Sequence, residues 1–196
     1  MKHLSVLAFW VMMLFGFQVS AQRIYNDGII TYNVVVSTGS NETRAADLLD
    51  GATQRIIIKG TQTRTELKSI LGTTITLHDS RLGTAVILND YGDQKILIRL
   101  SKADYEDRNR KYTGLQFELK NDNKVIQGYN CKLAVGKLAD GTTFKVYYTN
   151  DLVFQNKDYG LQFSSLPGFP LEYESDLGNI KVTYVAAKIS FEPVAA

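Results

Sequence analysis

Thr73-Thr74-Ile75-Thr76-Leu77-His78, then Asp79-Ser80-Arg81-Leu82-Gly83, then Thr84-Ala85-Val86-Ile87-Leu88: these sixteen consecutive residues read as a β-hairpin. In the first run Ile75 and Leu77 face one way while Thr74, Thr76 and His78 face the other, the period-two pattern of a strand. The middle run is built from turn formers and closes on Gly83. β-branched side chains dominate both arms, which suits a pleated surface and disfavours a helix.

Outward from this hairpin the same style repeats. Asn89-Asp90-Tyr91-Gly92-Asp93 predicts the next turn, leading to Ile96, Ile98 and Leu100. Upstream, a polar strand over 64–71 follows Ile56, Ile58 and Gly60, and Ile30, Tyr32, Val34 and Val36 share one face of the first long run. Downstream, Leu115, Phe117 and Leu119 alternate with polar residues, and Asn121-Asp122-Asn123 predicts a turn into a strand over 125–135. Ala139-Asp140-Gly141 turns into 142–149, and Leu171–Glu174 begins a last hairpin closed at 176–179. In the final run Ile180, Val182 and Tyr184 are even while Ile189 and Phe191 are odd, which predicts a β-bulge. The sum is about eleven strands in a mainly β, antiparallel fold, too many for an open flat sheet. Three short helices are predicted: 45–49 with Asn41 or Thr43 as cap, Ser101–Arg110 capped by Ser101, and Asn150–Gln155.

The chain has 196 residues, 44% hydrophobic and 21% charged, a profile of one globular domain. Its 22 basic and 20 acidic residues nearly cancel and form no long basic run, so nucleic acid is not an expected partner. Residues 1–21 read as a cleavable secretory signal: Lys2 and His3, an apolar run from Leu4 to Phe17, then Val19-Ser20-Ala21. About 14 apolar residues at 1.5 Å each fall short of a ~30 Å hydrocarbon core, so a membrane span is not expected. The mature domain is then 22–196, exported, with the periplasm as the expected compartment and secretion as the other.

Chemistry is sparse. Past the signal the chain holds one His, His78, and one Cys, Cys131, so no intrachain disulfide can form. His78 reads as a solvated imidazole on a threonine-rich face. Cys131, in phase with Val125, Tyr129, Leu133 and Val135, reads as a buried and inert thiol. A thiol dyad would need the fold to bring the two together. Asn89, Asp90 and Asp93 lack calcium-loop spacing, and neither a phosphate-binding glycine loop nor a Gly-x-Ser-x-Gly elbow occurs. No catalytic residue, metal site or cofactor is expected, and the reading is of a protein that is not an enzyme.

Two segments resemble known families. Gly128-Tyr129-Asn130-Cys131-Lys132, followed by Val146-Tyr147-Tyr148-Thr149-Asn150-Asp151-Leu152, resembles exported bacterial domains of the DUF4412 type, although Tyr147-Tyr148 stands where a Trp is often found. Leu166-Pro167-Gly168-Phe169-Pro170-Leu171-Glu172 is similar to the Leu-Pro-Gly-x-x-Leu-Glu stretch of the related GLPGLI group. The resemblance implies a curved antiparallel sheet forming an unclosed barrel like that of the LolA/LolB lipoprotein carriers, and a cell-envelope location. It brings no catalytic residue.

A half-barrel must fill its inner face or use it. Strict alternation nominates Tyr129, Phe144, Val146, Tyr148, Val182 and Tyr184 for that face, as ligand contacts or as packed core. The leading expectation is a non-catalytic binding module for a lipid, a lipoprotein acyl chain or another apolar ligand. The alternative is an envelope protein-interaction module with a filled core, acting on a protein partner through strand edges and loops.

Overall fold

The computed structural model describes residues 23–37, 49, 51–177 and 180–194. The predicted signal at 1–21 and, apart from residue 49, the predicted helix at 45–49 lie outside the described residues.

The chain runs β1 (Arg23–Tyr25), β2 (Asp27–Ser37), β3 (Thr53–Lys59), β4 (Gln62–Ser69), β5 (Gly72–Asp79), β6 (Thr84–Tyr91) and β7 (Gln94–Leu100) into helix α1 (Lys102–Arg108). It returns through β8 (Gln116–Ile126), β9 (Tyr129–Lys137), β10 (Thr143–Thr149), β11 (Leu152–Phe154), β12 (Phe169–Leu177) and β13 (Ile180–Ser190). Short 3-10 turns occupy Arg110–Tyr112, Lys157–Tyr159 and Leu161–Phe163. Eleven strands form one sheet in the order β7-β6-β5-β4-β3-β2-β13-β12-β10-β9-β8, antiparallel at every pairing. The sheet does not close, so β7 and β8 are its edges. The fold is the mainly β, unclosed antiparallel sheet expected.

Local meanders build each half, and the two halves are joined by β2 lying beside β13, with Val36 opposite Val182 and Val34 opposite Tyr184. The predicted bulge in β13 is present: the register shifts between Ala186 and Lys188. This accommodates the change of apolar phase along the strand.

Three expectations are corrected. Asn121-Asp122-Asn123 is no turn; it lies inside β8, where pairing to β9 is interrupted between Leu119 and Asn123. The reversal comes at Gln127-Gly128, whose φ values of 50° and 80° suit a type I′ hairpin. Asn150–Gln155 is no helix, because Leu152, Val153 and Phe154 pair in parallel with Arg23, Ile24 and Tyr25. Burying Leu152 and Phe154 in the core outweighs any cap that Asn150 offered. Along β9 the apolar phase also shifts: Cys131, Ala134 and Gly136 are buried while Leu133 and Val135 are half-buried, and Val125, on β8, is exposed. The break in the β8–β9 ladder moves the inward phase by one residue.

Rows of directly opposed residues cross the sheet and show where its interior fills. One row reads Val34, Tyr184, Tyr173, Val146, Ala134 from β2 to β9, all buried. Its rings interlock: Tyr173 stacks on Tyr184 at 4.7 Å and meets Tyr32 edge-on at 5.5 Å. A second row, from β2 to β7, reads Ile30, Ile56, Thr65, Thr76, Ile87, Ile98. A third reads Tyr32, Gln54, Leu67, Thr74, Asn89, Ile96. The first is filled by rings. In the other two no ring stands over β4–β6, where Thr65, Thr74, Thr76 and Asn89 alternate with Leu67 and Ile87, and the interior is left open there.

Candidate functional site

The open region is a hollow of about 390 Å³ over the inner face of β3–β6. Its floor comes from the two rows just described: Gln54, Ile56, Thr65, Thr74, Thr76, Ile87 and Asn89. Tyr105, Arg108, Asn109 and Tyr112 wall one side, and the 3-10 segment from Tyr159 to Phe163 walls the other. Tyr173 separates the hollow from the packed core, its hydroxyl donating to Gln54 Oε1 at 2.7 Å. Hydroxyls and amides share the lining with Ile56, Ile87, Leu100, Leu161 and Phe163. The volume falls within the usual range for a small-molecule site.

Helix α1 is held in place from both ends of its first turns. Ser101 and Asp104 form a reciprocal capping box, with Ser101 N donating to Asp104 Oδ2 at 3.0 Å and Asp104 N donating to Ser101 Oγ at 3.3 Å. The Ser101 hydroxyl, donating to Asp104 Oδ2 at 2.6 Å, and then the Ser101 N–H hold the Asp104 carboxyl below its usual range. One turn on, Tyr105 lies flat on His78, ring centres 4.3 Å apart and nearly parallel. The helix is thereby pinned against β5.

His78 is buried, which corrects the expectation of a solvated imidazole. Its phase along β5 is the inward one because His78 pairs with Thr63 and Ala85, both buried. Burial pushes its pKa down, offset in part by Asp158 and Asp79, and Nδ1 has no hydrogen-bond partner. An unfolded chain takes up this proton near pH 6.5, whereas the folded chain resists it until lower pH. Stability contributed by the neutral ring is therefore fully present above pH 6.5 and is lost progressively from there as pH falls through the lower pKa of the folded chain. We expect the melting temperature to fall between pH 7 and pH 5, and His78→Phe, which keeps the stack on Tyr105, to flatten that fall. Equal slopes in parent and variant would show that His78 is not the group responsible.

The polar phase of β5 points inward and its apolar phase outward, the reverse of the common arrangement. Ile57, Ile75, Leu77, Val86, Leu88 and Leu97 consequently lie on the outer face, in register across β3–β7. Among them sits Glu66, buried between two guanidiniums: Arg64 Nε donates to Oε1 at 2.7 Å, and Arg55 lies 3.5 Å from Oε2.

Of the six residues nominated for the inner face, Phe144, Val146, Tyr148, Val182 and Tyr184 are buried core, and Tyr129 is half-buried against it. None lines the hollow. Phe144 meets Phe117 edge-on at 5.8 Å and fills the space above Gly136. Cys131 and His78 are not brought together, since six strands separate β9 from β5. Cys131 donates to the Tyr129 carbonyl at 3.5 Å, and burial pushes its thiol up to about 11, which makes it a poor nucleophile. Among the described residues no cluster of His, Cys, Asp or Glu could hold a metal, and no helix is long and apolar enough to cross a membrane.

Sequence reading missed the hollow's own residues. Asn89, expected in a turn, lies in β6, which continues to Tyr91, and faces inward opposite Thr74. The available signal was the run of Thr65, Thr74 and Thr76, too small to fill a barrel.

No family model matches this chain, and no curated protein matches it. Among solved structures it is similar to PNGF-II in two crystal forms, at 14% identity, TM-scores of 0.48 and 0.42, and 84% coverage of this chain. It is also similar to MucB, at 12% identity, a TM-score of 0.44 and 96% coverage. The chain spans 28% and 27% of the PNGF-II chains and 60% of the MucB chain. The fold assignment rests on strand order and register, and the DUF4412 resemblance has no family-model match behind it.

Proposed function

We propose that this chain is an exported, non-catalytic binding module of the bacterial cell envelope that holds one small amphipathic molecule in the β3–β6 hollow. The observation that carries this reading is the mixed lining. A ligand's chain or ring can lie against Ile56, Ile87 and Leu100 while its polar groups meet Thr65, Thr74, Thr76 and Asn89, with Arg108 exposed at the rim. A wholly apolar chain suits this site less well, because it would strip those hydroxyls and amides of water and give nothing back. A single-chain lipid or a lipoprotein acyl chain with its polar end attached satisfies both sets. Binding is burial and release, with no covalent step.

The test is native mass spectrometry on the full chain expressed with its own N-terminal segment and recovered from a bacterial envelope fraction. A stoichiometric adduct, released by organic extraction, is expected. Thr76→Phe puts a ring into the middle of the hollow and should abolish the adduct while leaving the fold intact by circular dichroism. A bare polypeptide mass, with no uptake of added lysophospholipid, would overturn the reading.

A further inference from the structure

The two sheet edges are treated differently by the sequence. β8 carries Lys120, Asn121, Asp122 and Asn123 where its ladder to β9 is broken, and a bulged, charged edge resists further pairing. β7 carries Lys95 and Arg99 but no bulge. All seven of its residues pair with β6 without a bulge, it contains neither Gly nor Pro, and no described strand lies on its other side. Ile96 and Leu97 are 46% and 50% exposed on this unbroken edge, as Leu119 and Val125 are on the broken one.

The turn before β7 fixes which backbone groups are free. Gly92-Asp93 is a two-residue loop closing the pair Tyr91 and Gln94, with Gly92 at φ 68°. In such a hairpin the closing pair exchanges hydrogen bonds and every second pair after it does likewise. Gln94, Ile96, Ile98 and Leu100 therefore bond to β6, while the N–H and C=O groups of Lys95, Leu97 and Arg99 point away from the sheet.

Lys95, Leu97 and Arg99 also project their side chains onto the outer face, since they oppose Asp90, Leu88 and Val86. Beside them lies a groove of about 500 Å³ in which Ile75, Leu88 and Leu97 meet Arg64, Lys68 and Lys95; Glu66 there is neutralised by Arg64, and Asp90 lies 3.8 Å from Lys95 in an exposed pair, so the cations outnumber the carboxylates. Lys68 and Arg99 have no ion-pair partner among the described residues. A second copy of β7 is a poor match, because antiparallel pairing about Leu97 sets Lys95 opposite Arg99. We propose that β7 is a docking edge that takes an extended acidic peptide segment by strand addition, with acidic side chains opposite Lys95 and Arg99 and an apolar one opposite Leu97. This does not depend on what occupies the hollow.

The probe is a fluorescein-labelled synthetic peptide with glutamates flanking a Val-Leu-Val centre, titrated with the full chain at low salt and followed by anisotropy. Saturable binding is expected, weakened by added salt and absent for the same peptide with lysines in place of the glutamates. Leu97→Pro removes an outward N–H but no bond to β6, and should weaken binding by about tenfold or more. The double variant Lys95→Glu, Arg99→Glu changes only exposed side chains and should transfer preference to the lysine peptide. Equal binding of both peptides, indifference to the double variant, or no saturable binding would overturn the proposal. A concentration-dependent dimer abolished by Leu97→Pro would also overturn it, by assigning the edge to a second copy.

Discussion

Tyr32→Ala should destabilise the fold by about 3–5 kcal/mol, the range for truncating a fully buried aromatic ring. Tyr32 stands in β2, the strand that joins the two halves of the sheet, and it is wholly buried. Its ring meets Tyr173 edge-on, and its hydroxyl donates to the Pro170 carbonyl at 2.8 Å, tying β2 to the start of β12. Burial pushes the phenol well above its usual pKa, so it stays a neutral donor. Tyr32→Phe keeps the ring and removes only that bond, leaving a buried carbonyl without its donor, and should cost about 1–3 kcal/mol. Urea unfolding of parent and both variants separates the two contributions. Because whole domains are stable by only about 5–15 kcal/mol, the Ala variant should be close to unfolded at 37 °C. A loss below about 1 kcal/mol for Tyr32→Ala would mean that β2 is not the keystone described.

Gly168→Ala should cost about 3 kcal/mol for a different reason. The segment Leu166-Pro167-Gly168 enters β12 directly over the end of β10. A Cβ at residue 168 would lie well inside contact distance of the Thr149 carbonyl and 2.9 Å from the Tyr148 ring. Neither neighbour yields easily: Thr149 and Tyr148 are buried and paired to Phe169 and Pro170. Overpacking against backbone of this kind costs at the upper end of the usual range. Gly160→Ala is the control, since its Cβ would stand 3.3 Å from the Phe163 ring with no positive φ to strain it. Thermal unfolding should show a clear drop for residue 168 and a small change for residue 160. Similar drops at both would show that the close approach at residue 168 is not the source of the cost, since the change in chain entropy from glycine to alanine is by itself stabilising.

The contrast between these two residues bears on how much of the protein was legible beforehand. Gly168 stands in a motif that the sequence displays, but the reason for a glycine there is visible only when β10 and β12 lie together. The Ser101–Asp104 cap was legible because its partners are three residues apart. The β13 bulge was legible because the apolar phase changes within one strand. The Asn121–Asn123 turn and the Asn150–Gln155 helix were misread. The first forms a break in the β8 ladder and the second a pairing with β1, more than a hundred residues away. The hollow was missed because alternation says that two faces differ, not which of them is inside. Thr74, Thr76 and His78 looked like a solvent face, and Tyr129, Phe144, Val146, Tyr148, Val182 and Tyr184 looked like the lining of a cavity.

What the sequence determined by itself is the class of fold: period-two alternation and glycine-bearing turns are local properties, and they specify adjacent antiparallel strands however the ends are later joined. Tertiary structure alone decided where the interior is full and where it is open. Pairing β2 with β13 sets Tyr32, Tyr173 and Tyr184 against one another and closes one half with rings, while the rows through Thr65, Thr76 and Asn89 carry too little volume to close the other. Packing is a sum over residues distant in the chain, and no window along the chain contains it.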